Sequence, residues 1–241
     1  MCTVSYISPK EGCFITSNRD EHIARPVALE PKLESINGVQ VVFPRDPLAG
    51  GTWFAMNEFG TVAVLLNGAF ENHERVLPYV KSRGLVLLDV IASEDPNASL
   101  QTMDLNRIEP FTLILFTGTS LQEFRWDGNQ KFTKDLDSSQ DYIWSSVTLY
   151  NKEAIAQRES LFDEFITAGD KVTASNVVDF HSNNNKDFEN GFIIDRSTGL
   201  KTFSVTQVAL DQDSMVMKHF DLLRDKAFEF PYSPKKIATV R

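Results

Sequence analysis

The sequence predicts an α+β fold built in layers. The main ground is element order: β-prone runs gather in three groups, and helix-periodic runs fill the two gaps between them. Sheets that receive helices back from the chain must stack in layers to bury their apolar faces, although periodicity does not fix how many layers there are. A composition 42% hydrophobic and 24% charged supplies enough apolar mass for a sizeable core. No linker-like stretch and no internal repeat interrupts the chain, so residues 1–241 are expected to form a single domain.

Thr3 to Ile7 and Cys13 to Ser17 read as short strands, and the turn cluster Ser8-Pro9-Lys10-Glu11-Gly12 makes them a hairpin. Val39 to Phe43 is a further strand. Trp53 to Met56 and Thr61 to Leu66 flank Asn57-Glu58-Phe59-Gly60 as a second hairpin. Asn72 to Ala92 has helical spacing in Val76, Leu77, Val80, Leu87, Leu88 and Ile91, with Pro78 and Gly84 as breaks. Strands resume at Phe111 to Thr117, Leu121 to Trp126 and Tyr142 to Leu149, with a turn at Asp127-Gly128. Asn151 reads as the N-cap of a helix running to Ala168, whose apolar face is Ile155, Leu161, Phe162, Phe165 and Ile166, with Gly169 at its stop. A shorter helix is expected over Thr173 to His181. Strands close the chain at Gly191 to Ile194, Leu200 to Leu210 and Met215 to Phe220.

A net charge of −9 and the lack of any Lys/Arg cluster argue against nucleic acid as a partner. No signal-peptide pattern and no run of transmembrane length is found; the longest apolar run, Leu85 to Ala92, is broken by Asp89. Two cysteines do not make a disulfide framework, and a reduced cytoplasmic compartment is expected. His22, His73, His181 and His219 have no zinc-ligand spacing, and no Cys-x-x-Cys occurs, so neither a metal nor another cofactor is expected.

Cys2 is the residue with most chemistry to offer. Removal of Met1 would leave it with an α-amine of pKa about 7.7–8.0 beside a thiol near 8.5, so nucleophile and general base would be one residue. A Met-Cys start also occurs without a catalytic role. A turn centred on Lys10 pairs positions summing to about 20, which sets Cys2 opposite Asn18 and brings Asn18-Arg19-Asp20-Glu21 beside the terminus. There Arg19 either holds a substrate carbonyl or carboxylate or depresses the thiol pKa, and Asp20 orients the α-ammonium. The plain alternative is a solvated Arg–Asp pair at a strand end. Asn67 is either an oxyanion donor or part of an Asn67-Gly68 turn, and Gly50-Gly51-Thr52-Trp53 reads as a tight turn into a strand. Cys13, beside Phe14, is expected to be buried and inert.

Met1-Cys2, the Asn18-Arg19-Asp20-Glu21 tetrad with Arg25-Pro26 after it, Gly50-Gly51-Thr52-Trp53 and a strand ending in Asn67 together resemble the NRDE family. That resemblance implies an N-terminal-nucleophile-hydrolase-like fold: a four-layer αββα sandwich of two stacked, mainly antiparallel sheets. A more distant similarity is to the choloylglycine hydrolase and penicillin V acylase group, in which an N-terminal Cys works with Arg, Asp and Asn. By type and order Cys2, Arg19, Asp20 and Asn67 match that set. The group spaces its Arg and Asp apart, whereas here Arg19 and Asp20 are adjacent; Arg196 and Lys201 are candidates for its second basic residue.

The implied activity is cofactor-free hydrolysis of a non-peptide amide or acyl bond of a small molecule, with Cys2 as nucleophile. The alternative is a non-catalytic member of the fold that handles an apolar ligand such as lipid or haem. In that case Cys2 would be a haem ligand or a redox-sensitive thiol.

Overall fold

The computed structural model describes residues 3–9, 12–74, 78–118, 120–168, 171–211 and 213–235. Cys2, the Lys10 turn centre, the helix positions Val76 and Leu77, and the stop at Gly169 lie outside the described residues. Strand β1 (Thr3–Ile7) returns antiparallel as β2 (Cys13–His22), confirming the hairpin. Its register differs by one residue from the expected one: Thr3 pairs with Asn18, and the last pair is Ile7 with Phe14. Cys13 belongs to the connection on this side while pairing with Leu210 on the other. A one-residue shift decides which face each side chain takes, and the site depends on it.

β2 continues past the expected Ser17 because its second neighbour, β11 (Leu200–Leu210), pairs with it as far as His22. With β12 (Met215–Asp221), β13 (Lys226–Tyr232) and β10 (Tyr142–Ser145), these form a six-stranded sheet in the order β10-β1-β2-β11-β12-β13. A seven-stranded sheet runs in chain order: β3 (Leu29–Ile36), β4 (Val39–Arg45), β5 (Phe54–Asn57), β6 (Val62–Asn67), β7 (Phe111–Phe116), β8 (Leu121–Trp126) and β9 (Lys131–Leu136). Every pairing within both sheets is antiparallel.

Strand alternation builds three slabs of core. Val4, Tyr6 and Ile15 of one sheet meet Val42, Val62, Val64 and Ile114 of the other between the sheets. The opposite residues of the seven-stranded sheet, Val41, Phe43, Ala63, Leu65 and Leu113, pack under α1 (Arg83–Ile91) and α2 (Pro96–Thr102). On the outer face of the six-stranded sheet, Ile7 and Phe14 meet Phe162 of α3 (Lys152–Thr167) and Val177 of α4 (Ala174–His181). The result is the four-layer αββα sandwich.

Three expectations are corrected. The helix over Asn72 to Ala92 shrinks to α1, because Ser82 caps it by accepting from Leu85 N and residues 78–81 are not helical. The strand Tyr142 to Leu149 stops at Ser145, where the Ser146 carbonyl takes up the N–H groups of Leu149 and Tyr150 in a turn. Gly191 to Ile194 is no strand: Phe192 N turns inward to the Asn183 carbonyl, and a single bridge joins Asp195 to Lys201. Asn151 caps α3 as expected, and Thr173, expected as the first helical residue, is instead the N-cap of α4.

Two interior contacts fix the elements that frame the site. On the helix-facing side of β2, Asn18 Nδ2 donates to the carbonyls of His181 and Phe192 at 2.8 and 3.1 Å. Asn18 Oδ1 accepts from His181 Nδ1 at 2.6 Å, which leaves Nε2, 2.7 Å from Ser5 Oγ, to accept the serine proton. Every member is fully buried, and burial with the nearby charge of Arg158 pushes the His181 pKa down to about 3. Elsewhere the loop before β5 presses on the start of α1. A Cβ on Gly51 would stand 2.4 Å from the Gly84 carbonyl carbon, and one on Gly84 would stand 2.7 Å from the Thr52 oxygen.

Below the ordinary histidine pKa of about 6.5, the unfolded chain takes up a proton that folded His181 refuses until about pH 3. Its contribution is therefore fully present above about pH 6.5 and lost as pH falls, by about 1.4 kcal/mol per pH unit for one proton. Denaturant titrations across this window should show a slope shallower by about one proton in His181→Gln; an unchanged slope would contradict the buried neutral imidazole. In the same assay Gly51→Ala should cost about 3 kcal/mol, because backbone stands where the methyl must go. Gly38→Ala, at φ +85° with open space around it, should cost only about 1 kcal/mol. Equal losses would remove the close-approach argument.

Candidate functional site

Because residues alternate along β2, its polar end divides between two faces. Asn18 and Asp20 face the helix layer, and Arg19 faces the other sheet. Asp20 is 2% exposed; its Oδ2 accepts from Tyr150 Oη at 2.8 Å and its Oδ1 from Thr202 Oγ1 at 2.6 Å. Arg19 is 1% exposed and enters a cavity of about 490 Å3 at one end of the space between the sheets. The alternative of a solvated Arg–Asp pair does not hold, since both side chains are buried and lie on opposite faces of β2.

The cavity is walled by Glu21 and Arg25 after β2, the loop from Asp46 to Trp53, Asn67 at the end of β6, and residues 79–85 at the start of α1. Asp46, preceded by Arg45 and followed by Pro47, forms the hub of its loop. Its Oδ1 accepts from the backbone of Leu48 and Ala49 at 2.9 and 3.0 Å, and its Oδ2 accepts from Arg19 Nη2 and Arg25 Nε, both at 2.9 Å. Burial would raise the Asp46 pKa, but the Ala49 N–H and the two guanidiniums outweigh it and hold the carboxyl below its usual range. With its acceptor positions taken, Asp46 anchors the guanidiniums and does not act as a base.

Arg19 is only half satisfied. Desolvation lowers its pKa against the opposing charges of Asp46 and Glu21, and its Nη1 has no hydrogen-bond partner among the described residues. Its guanidinium carbon lies 4.7 Å from the centre of the Trp53 ring, and Trp53 Nε1 is buried with no acceptor among the described residues. The Trp53 ring also neighbours His219, with centroids 6.1 Å apart, and His219 Nδ1 is 2.8 Å from Thr206 Oγ1. Asn67 also lines the cavity; its Oδ1 is buried with no hydrogen-bond partner among the described residues, and its backbone carbonyl accepts from Ser146 Oγ.

Of the residues read from sequence, Arg19 and Asn67 thus meet in one cavity, Asn18 and Asp20 lie on the reverse of the sheet, and Cys2 is outside the described residues. Cys13 is buried, and burial pushes its thiol up to about 12. Neither Arg196, which donates to the Glu189 and Leu149 carbonyls, nor Lys201, paired with Asp195, lines the cavity. Sequence reasoning missed Asp46 and Arg158. The Asp46-Pro47 step is a turn signal. Arg158 falls on the Ile155–Phe162 stripe of α3, where a cation must be buried. It donates to Thr3 Oγ1 and to the Asn190 and Gly191 carbonyls, and lies over the Tyr150 ring at 3.6 Å.

Several solved structures share this architecture. The Caenorhabditis elegans N-acylethanolamine-hydrolyzing acid amidase ortholog aligns over 86% of this chain and 92% of its own, at 9% identity and a TM-score of 0.59. An arginine-to-leucine variant of conjugated bile acid hydrolase from Clostridium perfringens aligns over the full length of both chains, at 11% identity and a TM-score of 0.55. At these identities the likeness establishes the N-terminal-nucleophile-hydrolase-like fold alone. Comparison with curated protein sequences returned no match. The sequence profile described as Transport and Golgi organisation 2 matches residues 1–221, and the chain therefore belongs to that family, the NRDE family.

Proposed function

We propose that the chain, acting as a single domain in a reduced cytoplasmic compartment, is a cysteine N-terminal-nucleophile hydrolase. Its substrate is a non-peptide amide or acyl bond of a small molecule. The observation that carries this reading is the cavity lined by buried Arg19 and by Asn67. Cys2 precedes Thr3 by one peptide, so their Cα atoms are about 3.8 Å apart. Val4 and Tyr6 of β1 face between the sheets, and Thr3 pairs with Asn18, next to Arg19; the reading takes Cys2 as the nucleophile that Arg19 serves. The names of the two structural neighbours, an acid amidase and a bile acid hydrolase, support the same reaction class.

In this reading, removal of Met1 frees the Cys2 α-amine, which takes the thiol proton as the sulfur attacks the carbonyl carbon. Asp20 orients the resulting ammonium, and Asn18 holds the strand end against α4. Asn67 turns its Nδ2 to the oxyanion and works with backbone N–H groups. Collapse returns the proton to the leaving amine and leaves a thioester on Cys2, which water hydrolyses to the acid. One observation favours the non-catalytic ligand-handling alternative: the Asn18 and Asp20 side chains are spent on Tyr150, Thr202 and His181, on the face away from the cavity.

Timed alkylation with iodoacetamide, followed by peptide mapping, should label Cys2 first, with Cys13 protected until unfolding. On an amide panel Cys2→Ala should abolish turnover without loss of stability. Cys13→Ala should keep turnover and lose about 1 kcal/mol or more of packing. Prior labelling of Cys13, or full turnover by Cys2→Ala on a confirmed substrate, would defeat the nucleophile assignment.

A further inference from the structure

A second cavity, of about 210 Å3, lies where the end of β6 meets β10 and α3. Of the residues lining it and the first cavity, Asn67 is the one that belongs to both. The junction is closely built. The Asn67 carbonyl accepts from Ser146 Oγ at 2.8 Å, and Ser146 Oγ lies 3.0 Å from Thr148 Oγ1. Gly68 follows at φ +79°, where a Cβ would stand 2.7 and 2.8 Å from methyl groups of Val147 and Thr148. Ser145, also in the wall, pairs with Thr3, the first described residue. Asn67, the second cavity and the first described strand are therefore held together.

The two cavities offer different surroundings. The first is charged, with Arg19, Glu21, Arg25 and Asp46 in its wall. In the second, most polar side chains are already spent within the protein. Thr112 Oγ1 donates to the Gly68 carbonyl at 2.9 Å, and Trp144 Nε1 donates to Glu123 Oε2 at 2.7 Å. Arg125 gives Nε and Nη2 to the same Glu123 carboxylate, at 2.8 and 3.0 Å, and Nη1 to the Ala69 carbonyl. A neighbour thus balances its charge. Apart from Asn67, Ser145 and the exposed Glu159, the rest of the wall is Leu66, Ile143, Val147, Ile155 and small residues. A cavity whose polar groups are satisfied favours an apolar occupant. An apolar cavity of about 150 Å3 takes up a benzene ring, so this one suits a chain of roughly six to eight carbons.

We infer that the second cavity is the acyl subsite, holding a linear acyl chain of about six to eight carbons, while the amine half of the substrate occupies the first cavity. The inference rests on the hydrolase reading and adds a substrate class to it. Asn67, at the divide, is where the carbonyl joining the two halves would sit. Charge decides which half goes where. The leaving amine becomes an ammonium at neutral pH, which an apolar wall does not solvate. The acyl chain carries no charge while it is a thioester. Ile155 of α3 becomes a specificity-determining residue, because its side chain sets the room left for that chain.

The first test needs no turnover. Isotope-labelled Cys2→Ala protein is titrated with hexanamide while isoleucine and valine methyl resonances are followed. Those of Ile143, Val147 and Ile155 should shift and saturate, and those of Ile23, which lines neither cavity, should stay in place. Acetamide, which lacks the chain, should bind at least about tenfold more weakly. The second test acylates the unmutated protein with p-nitrophenyl esters from acetyl to dodecanoyl. Cys2 sulfur attacks the ester carbonyl, p-nitrophenolate leaves with the bonding pair, and the acyl group stays as a thioester. The acylation rate constant should rise about threefold per methylene up to about six to eight carbons and then level off. Ile155→Trp should cut the hexanoyl-to-acetyl ratio at least about tenfold, and Ile155→Ala should move the plateau to longer chains; the second variant serves if the first fails to fold. Unmoved Ile143, Val147 and Ile155 methyls, or a chain-length profile indifferent to Ile155, would overturn the inference. Hexanamide binding at those methyls in a protein that no ester acylates would support the apolar subsite and sink the hydrolase reading alone. Acylation at a rate independent of chain length would sink the acyl subsite alone.

Discussion

Flanked by strands on both sides and covered on both faces, β2 must find partners inside the protein for every polar side chain from Thr16 to Asp20. Alternation allots those partners. Asn18 reaches α4 through His181, and Asp20 reaches Tyr150 and Thr202. Arg19 crosses to the loop of the facing sheet through Asp46. One strand thereby ties the outer helix layer, its own sheet and the opposite sheet together. The three consecutive polar residues that look like a single site in the sequence serve two faces.

The Arg19–Asp46 contact is also where the interior is least complete. Two guanidiniums share one carboxylate oxygen, and Glu21 lies 4.0 Å from Arg19 and 3.5 Å from Arg25. A buried charge network left with an unmet donor is costly, and the residue that carries it here, Arg19, lines a cavity. Strands ending at a shared opening between stacked sheets, with a buried cation at its floor, form a place where a ligand can replace solvent around a reacting carbonyl. No helix among the described residues is long and apolar enough to cross a membrane.

The central strands, the two hairpins and both capped C-terminal helices were legible because each has a strong local cause: apolar alternation, Asn or Gly at the turn, Asn151 and Thr173 at the caps. The strands that escaped notice, β3, β9 and β13, are all sheet edges. Edge strands carry charge and proline to discourage further pairing, which erases the alternation that would reveal them; Glu30-Pro31-Lys32 and Glu229-Phe230-Pro231 show this. The number of layers came from the family resemblance and not from periodicity. Within the site, Arg19 and Asn67 were legible as residues, but their common cavity was not. It depends on a one-residue register at a turn, and on Asp46 and Trp53, whose partners lie far away in the chain.

Membership of the Transport and Golgi organisation 2 family and the αββα fold leave the chemistry to the first residues of the chain. Nucleophile and base are a single residue in the hydrolytic reading, so its most direct test is the mass of the intact protein before and after brief exposure to an activated acyl substrate. The hydrolase reading predicts a protein lacking Met1 that gains one acyl group on Cys2, labile to hydroxylamine and absent in Cys2→Ala. A purified protein that retains Met1, or that acquires no acyl group while free Cys2 persists, would contradict it.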